Sequence, residues 1–374
     1  MKLGCYDFFA GGGLARIGLG EAWNCLLAND WCAKKAASYA ANFGGENLLA
    51  RDIRELSTRD LPGRASLAWA SFPCQDLSLA GRGLGFGGQR SSTFWPFWAL
   101  MQELTAEGRG VPVVVLENVA GAVTSNKGAD FRAILDALAS AGYAFGPMIL
   151  DGRLFTPQSR PRLFIVATTA PTRGLDADDP SDLCHPAPLR KAHAELPEDL
   201  RRRWVWWSPS EPPQRTVDLA DVLEPASAVA WHLPEQTRRL LDLMAPTHRR
   251  RTEDAVQESA ETGRLVAGAL YRRTRKSPDG QSVQRAEVRF DGLCGCLRTP
   301  AGGSSRQTVL IAEDGRLRSR LITPREAARL MGVPDSYHLP KRPNEAYQLM
   351  GDGVVAPLAA WLERELLRSL ALRA

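Results

Sequence analysis

In the stretch "WASFPCQDLSLAGRGLGFGGQR", Cys74 stands where an apolar run ends, and Gly81, Gly83, Gly85, Gly87 and Gly88 break the tract beyond it. A structural cysteine sits inside a packed element, whereas this one falls at a strand end, as a nucleophile beneath a lid would. A thiol attacks only once deprotonated, so Cys74 needs a helix N-terminus or neighbouring cations. Glu117 closes the most hydrophobic run, "VPVVVLENV", where a carboxyl without a partner costs desolvation energy. Arg160 and Arg162 in "QSRPR" can neutralise that carboxyl or bind a substrate oxygen. A thiolate, an acid and two arginines suit addition to an electron-poor ring that the acid protonates.

A second group of residues suits a nucleoside. "DFFAGGGLARIGLG" reads as strand, glycine turn and helix start, which lets backbone approach a ligand closely, although it departs from the G-x-G-x-x-G spacing. Packing alone can also require such a turn. Asp30, ending the next apolar run, has the chemistry for ribose hydroxyls. Trp31 offers a face for an adenine ring, or a core side chain, and Asp52 in "RDI" an acceptor for its amino group.

These residues require a frame. Four apolar segments, "LGCYDFFA", "NCLLAND", "SLAWASFPC" and "VPVVVLENV", alternate with helix-compatible stretches such as "WCAKKAASYAANFG" and "STFWPFWALMQELTAEG". The alternation predicts an α/β fold, a parallel sheet wrapped by helices. Ligands in such sheets bind beyond the carboxyl ends of the strands, where Phe9, Asp30, Cys74 and Glu117 all fall. "FRAILDALASAGYAFG" reads as a further helix and "LFTPQSRPRLFIVATT" as a loop entering another strand. From about Pro171 to Arg320 the chain is rich in Pro, Arg and Trp without a sustained period, which predicts a second, irregular domain with Trp204, Trp206 and Trp207 in its core. Order returns at Thr323, Pro324 and Glu326, a helix start, and at "GVVAPLAAWLERELLRSLAL", an amphipathic helix.

The 374 residues, 44% hydrophobic, suffice for a sizeable core. The glycines after "MKLGCYDFFA" come too early for a signal peptide and no run reaches membrane-spanning length, so the expectation is a cytoplasmic protein with no membrane partner. Seven cysteines without C-x-x-C spacing point to reduced thiols and no metal site, with Cys294 and Cys296 in packing roles. The formal charge is +5, and the basic residues bunch in the second half, at "LRRRW", "HRRR", "YRRTRK" and "RLRSR". Singly each could be solvated surface; together they favour nucleic acid.

The order "FAGGG", "PCQ", "ENV", "QSRPR", "PREAARLMGVPD", "GDGVV" resembles the DNA (cytosine-5) methyltransferase family over roughly residues 1 to 170 and 318 to 374. The resemblance implies an S-adenosylmethionine-dependent methyltransferase (Rossmann-like) sheet with helices on both faces, plus a smaller, irregular target recognition domain. Cys74 would attack C6 of a flipped-out cytosine while Glu117 bonds N3 and the exocyclic amine. Arg162 would contact the ring carbonyl, Arg160 support the site, Asn118 hold the Glu117 loop, and the glycine tract act as the lid. S-adenosyl-L-methionine would lie against Phe9, Ala10, Gly11, Gly12, Gly13, Leu14, Asp30, Trp31, Asp52, Ile53, Pro73 and Asp352. The chain departs from the family pattern at Leu14, where a glycine is common, at Asp30, where glutamate is usual, and at Asp352-Gly353, where Asn-Ser is usual.

The same resemblance divides the chain into a catalytic and cofactor-binding domain, 1–180, a target recognition domain, 181–317, and a returning segment, 318–374. Contacts to duplex DNA would come from Gln75, Ser78 and Arg90, and from "GCLRTPAGGSSRQ" through Arg298, Thr299, Ser304, Ser305, Arg306 and Gln307, types that bond bases or phosphates. A monomer is expected, with a cognate restriction endonuclease acting on the same site as a further partner. A tRNA cytosine methyltransferase on the same scaffold and a DNA-binding protein that has lost catalysis are the competing readings.

Overall fold

Runs of buried aliphatic residues make the central strands. Leu67, Ala68, Trp69 and Ala70, and beside them Val113, Val114 and Val115, have no exposed surface, so polar alternation is absent and both sheet faces are covered. The computed structural model describes residues 2–73, 93–277, 280–299 and 306–374. Cys74, Gln75, Ser78, Arg90, the glycine tract, Ser304 and Ser305 lie outside the described residues. Two units emerge, and each is built by itself.

The first unit comprises Met1–Asp151, Pro161–Pro213 and Gly353–Ala374. Its strands are β1 (Leu3–Phe8), β2 (Trp23–Asn29), β3 (Leu48–Leu49), β4 (Leu67–Ala70), β5 (Val113–Val119), β6 (Ala144–Asp151) and β7 (Pro161–Thr168), in the order β3-β2-β1-β4-β5-β7-β6. The first five pair in parallel, as expected. β7 departs from the parallel expectation and runs antiparallel to both β5 and β6. The short connection from β6 to β7 cannot hold a crossover helix, which parallel pairing demands.

Helices α1 (Leu14–Leu19), α2 (Ala33–Phe43), α3 (Phe94–Ala106) and α4 (Ala129–Ser140) alternate with these strands. Gly13, with φ 77°, turns the chain from β1 into α1, and a side chain there would meet the Phe43 ring at 2.4 Å. Beyond β7 come the short pair β8 (Asp176–Ala177) and β9 (Trp206–Trp207), with α5 (Ala187–Ala194) and α6 (Glu198–Arg201) between them. The three tryptophans depart from expectation here. Trp207 is fully buried with its indole N–H donating to the Val166 carbonyl at 3.3 Å, and Trp204 packs on Phe131 and Phe145, so they extend the core of the sheet. The C-terminal helix starts at Ala356 and passes through a π-helical turn, Glu363–Leu367, where buried Glu363 accepts from the Trp23 indole at 2.9 Å.

The second unit comprises Gly152–Arg160 and Gln214–Asp352. Its edges therefore differ from the sequence-based boundaries, since 181–213 pack with the sheet and 318–352 with the second unit. After α7 (Pro234–Asp242) and α8 (Pro246–Thr262), strands β10 (Val266–Lys276), β11 (Ser282–Arg289), β12 (Thr308–Glu313) and β13 (Arg316–Leu321) form an antiparallel sheet, β11-β10-β12-β13. Met244, Leu270, Ala286, Val288 and Leu310 make its core. Helices α9 (Pro324–Leu330) and α10 (Pro343–Asp352) complete the unit. Thr323 caps α9 by accepting from Glu326 N at 3.1 Å, as the sequence predicts. Glu326 and Arg320 form a buried pair, with bonds of 2.6 and 2.7 Å, and Glu326 also accepts from Glu224 N.

Candidate active site

The carboxyl end of β5 carries the acid. Glu117 is buried because β4 and β7 flank its strand, and antiparallel β7 sets Arg162 opposite Val119. The Arg162 guanidinium thereby reaches Glu117, Nε to Oε1 at 3.4 Å, with side chains 14% and 7% exposed. Of the two arginines offered by "QSRPR", it is Arg162 that neutralises this carboxyl. Asn118 is buried beside it, its amide donating to the Phe72 carbonyl at 2.9 Å while its Oδ1 accepts from Val119 N at 2.8 Å. This ties the end of β5 to the backbone entering Pro73, which is exposed, and Cys74.

The adjoining strand ends present a different chemistry. β1 runs into the glycine turn, where Phe9 adopts φ 57°, a conformation a bulky residue takes only under constraint. Asp30, just past β2, is 4% exposed, and its carboxylate accepts from Gly11 N at 2.9 Å and Cys32 N at 2.8 Å. It is thereby fixed against the turn. Ala10 N donates to Asn29 O at 2.9 Å, Leu14 is buried in α1, and a side chain at Gly11 would find open space. Trp31 is 72% exposed, against its reading as a core residue. Asp52 caps the turn at Ile53, which is itself buried, and Arg54 bonds the Asp52 carboxylate and holds its pKa below the ordinary value. A fixed carboxylate and an open indole face past β2, beside an open glycine turn past β1, fit an adenosine.

Two residues here went unnoticed in the sequence. Asn29 donates to Leu49 O at 2.9 Å and Arg51 O at 2.8 Å, which joins the exit of β2 to the segment entering Asp52. Asp7 is buried in β1, neither carboxyl oxygen has a hydrogen-bond partner among the described residues, and burial pushes its pKa well above the ordinary value. A polar residue inside an apolar strand was the available signal for both.

In the second unit, Arg160 is 1% exposed and donates to Leu297 O at 3.0 Å and Gly351 O at 2.7 Å. Asp352, the last residue of α10, is exposed. Arg298 is exposed, Thr299 half-buried, and Arg306 bonds Asn344 and lies over the Tyr347 ring at 5.6 Å. Gln307 donates to Leu270 O at 3.0 Å, an internal role. The "YRRTRK" cluster lies on β10 beyond Leu270, where β11 is the one pairing strand, and Arg275 there is matched by Glu287.

A sequence model of the C-5 cytosine-specific DNA methylase family matches residues 3–368. Type II methyltransferase M.NlaX of Neisseria lactamica is 26% identical over 94% of this chain and 92% of its own length. Type II methyltransferase M.HpaII of Haemophilus parainfluenzae is 26% identical over 97% and 89%. Among solved structures, the Dnmt2 methyltransferase of S. pombe superposes with a TM-score of 0.62 at 16% identity, covering 99% of both chains, a likeness of fold.

Proposed function

From the premise that the chain belongs to the C-5 cytosine-specific DNA methylase family, we propose that it methylates C5 of a cytosine flipped out of duplex DNA, through a covalent adduct of Cys74 at C6. DNA is the substrate and S-adenosylmethionine the methyl donor of this family. The observation that carries the reading is the Glu117–Arg162 pair beside Asn118, whose amide holds the backbone just ahead of Cys74.

Cytosine C6 is a poor electrophile until the ring gains positive character. Glu117, bonded to N3 and the exocyclic amine, supplies a proton at N3, and Arg162 at the ring carbonyl stabilises the charge as the Cys74 thiolate adds. The addition leaves C5 electron-rich. S-adenosylmethionine, when bound, supplies the electrophilic methyl group, and the open turn at Gly11, the face of Trp31 and the carboxylate of Asp30 would hold its adenosine. Loss of the C5 proton and elimination of Cys74 then return the thiolate and free the product. Flipping the base costs about a few kcal/mol of stacking and pairing energy.

Sequence choice belongs, in this reading, to the second unit. A monomer acting in the cytoplasm, with a cognate restriction endonuclease cutting the same site, completes the proposal, since the named relatives are type II methyltransferases. Among the described residues no helix is long and apolar enough to cross a membrane.

The test is duplex DNA containing 5-fluorocytosine, whose fluorine blocks the final elimination. With S-adenosylmethionine present, wild type should form a stable protein–DNA adduct and Cys74→Ser none. An adduct in the mutant would make another residue the nucleophile. Methyl transfer to tRNA with none to DNA would replace the substrate.

A further inference from the structure

We propose that Arg298 reads a base edge in the target duplex, and that Gln158, Arg160 and Gly351 are positioning residues that hold its backbone for that purpose. This rests on the reading of the chain as a DNA methyltransferase.

The stretch leading into Arg298 is held from two sides. Chain pairing comes first: Cys294 N donates to Pro157 O at 2.7 Å, and Ser159 N to Cys294 O at 2.9 Å. The Gln158 side chain, fully buried, then accepts from Leu297 N at 3.0 Å and donates to Leu330 O at 2.9 Å. Arg160 takes the other polar group of the same residue, Leu297 O, and spans to Gly351 O. Both backbone groups of Leu297 are thus bound to buried side chains. From the opposite side, α10 approaches so closely that a Cβ on Gly351 would lie 2.8 Å from both the Arg298 carbonyl carbon and Thr299 N. Backbone atoms cannot swing aside as a side-chain tip can.

Immediately after this clamp the chain presents Arg298, exposed and without a carboxylate partner among the described residues. Arg306, Arg275, Arg318 and Arg249 of the unit are engaged, by Asn344, Glu287, Glu313 and Asp242. Exposed Arg250, Arg251 and Arg272 also have no carboxylate partner among the described residues, but they lie on α8 and β10, away from this clamp. A guanidinium with no ion pair to surrender can bond a base at low cost. Reading a base edge bidentately needs a side chain fixed to within about half an ångström, whereas a phosphate contact tolerates more play. A rigid backbone carrying an unengaged guanidinium matches the first requirement, and guanine O6 and N7 are the acceptors arginine's fork fits.

The experiment uses the full-length protein, S-adenosylmethionine and a duplex library with random bases around a central cytosine, read by bisulfite sequencing. Wild type should methylate cytosine in a restricted context; no methylation in any context defeats the functional reading itself. Arg298→Lys keeps the charge and loses the fork. It should relax the preference at one guanine position by about 10-fold or more. Gln158→Ala and Gly351→Ala, which perturb the clamp from opposite sides, should relax the same position, with affinity for S-adenosylmethionine by calorimetry unchanged. Arg298→Lys, a substitution at an exposed position, remains informative if either clamp variant folds poorly. Loss of turnover by the same factor in every context, or contexts identical to wild type in all three variants, overturns the proposal.

Discussion

The amide of Asn118 donates to the carbonyl of Phe72 at 2.9 Å, a buried bond that couples the acid-bearing end of β5 to the backbone entering Cys74. Asn118→Ala leaves that carbonyl unmet, at a cost of about 1–3 kcal/mol in stability. Misplacement of a reacting group by an ångström costs about 100-fold in rate, and turnover on duplex DNA should fall on that scale. Calorimetry should find methyl-donor affinity within about twofold of wild type, because the residues proposed to hold its adenosine, Gly11, Asp30 and Trp31, follow β1 and β2. Turnover close to wild type would break the link between this bond and catalysis.

Asp30 supports the opposite prediction, an effect on the cofactor alone. Both of its oxygens receive backbone N–H groups, and an amide nitrogen in place of either would face a donor. Asp30→Asn should weaken S-adenosylmethionine binding about 10-fold, the scale of one hydrogen bond to a charged group. Binding to duplex DNA in a gel shift without cofactor should persist. Unaltered cofactor affinity would remove Asp30 from the site.

Arg320 and Glu326, with side chains 1% and 0% exposed, form the sharpest stability test. Truncating one partner strands a buried charge, so Glu326→Ala should lower stability in urea by about 3–5 kcal/mol. Replacing both, Arg320→Met with Glu326→Leu, should cost much less. If the double variant is the weaker one, the pair contributes more than mutual neutralisation.

His185 links stability to pH. Burial, with Arg190 adding to it, lowers its pKa from 6.5 to about 4, and its Nδ1 accepts from Ser181 N at 3.0 Å. The folded state therefore resists the proton that the unfolded chain accepts. Stability is unaffected above pH 6.5, falls as pH drops from 6.5 to about 4, and levels off below that, a loss of about 3 kcal/mol. His185→Gln should flatten that part of the pH–stability curve, measured by urea midpoints. An unchanged slope would place the acid sensitivity elsewhere.

The candidate reacting and ligand-binding residues of the first unit were legible because each sits where a pattern breaks, an acid or cysteine ending an apolar run or glycines ending a strand. The second unit was opaque for a physical reason. β10 buries residues only from Ala267 to Leu270 and then exposes an arginine-rich length, so its periodicity is diluted below recognition. The antiparallel turn of β7 was hidden too, because a buried strand reads alike in either direction.

The types and order of the residues determined, without any coordinates, the family, the parallel part of the sheet and the identity of the candidate acid, nucleophile and cofactor carboxylate. Tertiary structure decided what each polar group is bonded to. Arg160 and Arg162 are near neighbours of the same chemical type in one motif, yet Arg162 neutralises Glu117 across β5 and β7 while Arg160 holds Leu297 and Gly351. A side chain's partner depends on which distant backbone or charge the fold brings within about 3 Å, and hydrogen bonds weaken steeply with distance and angle. Local sequence carries no record of that separation.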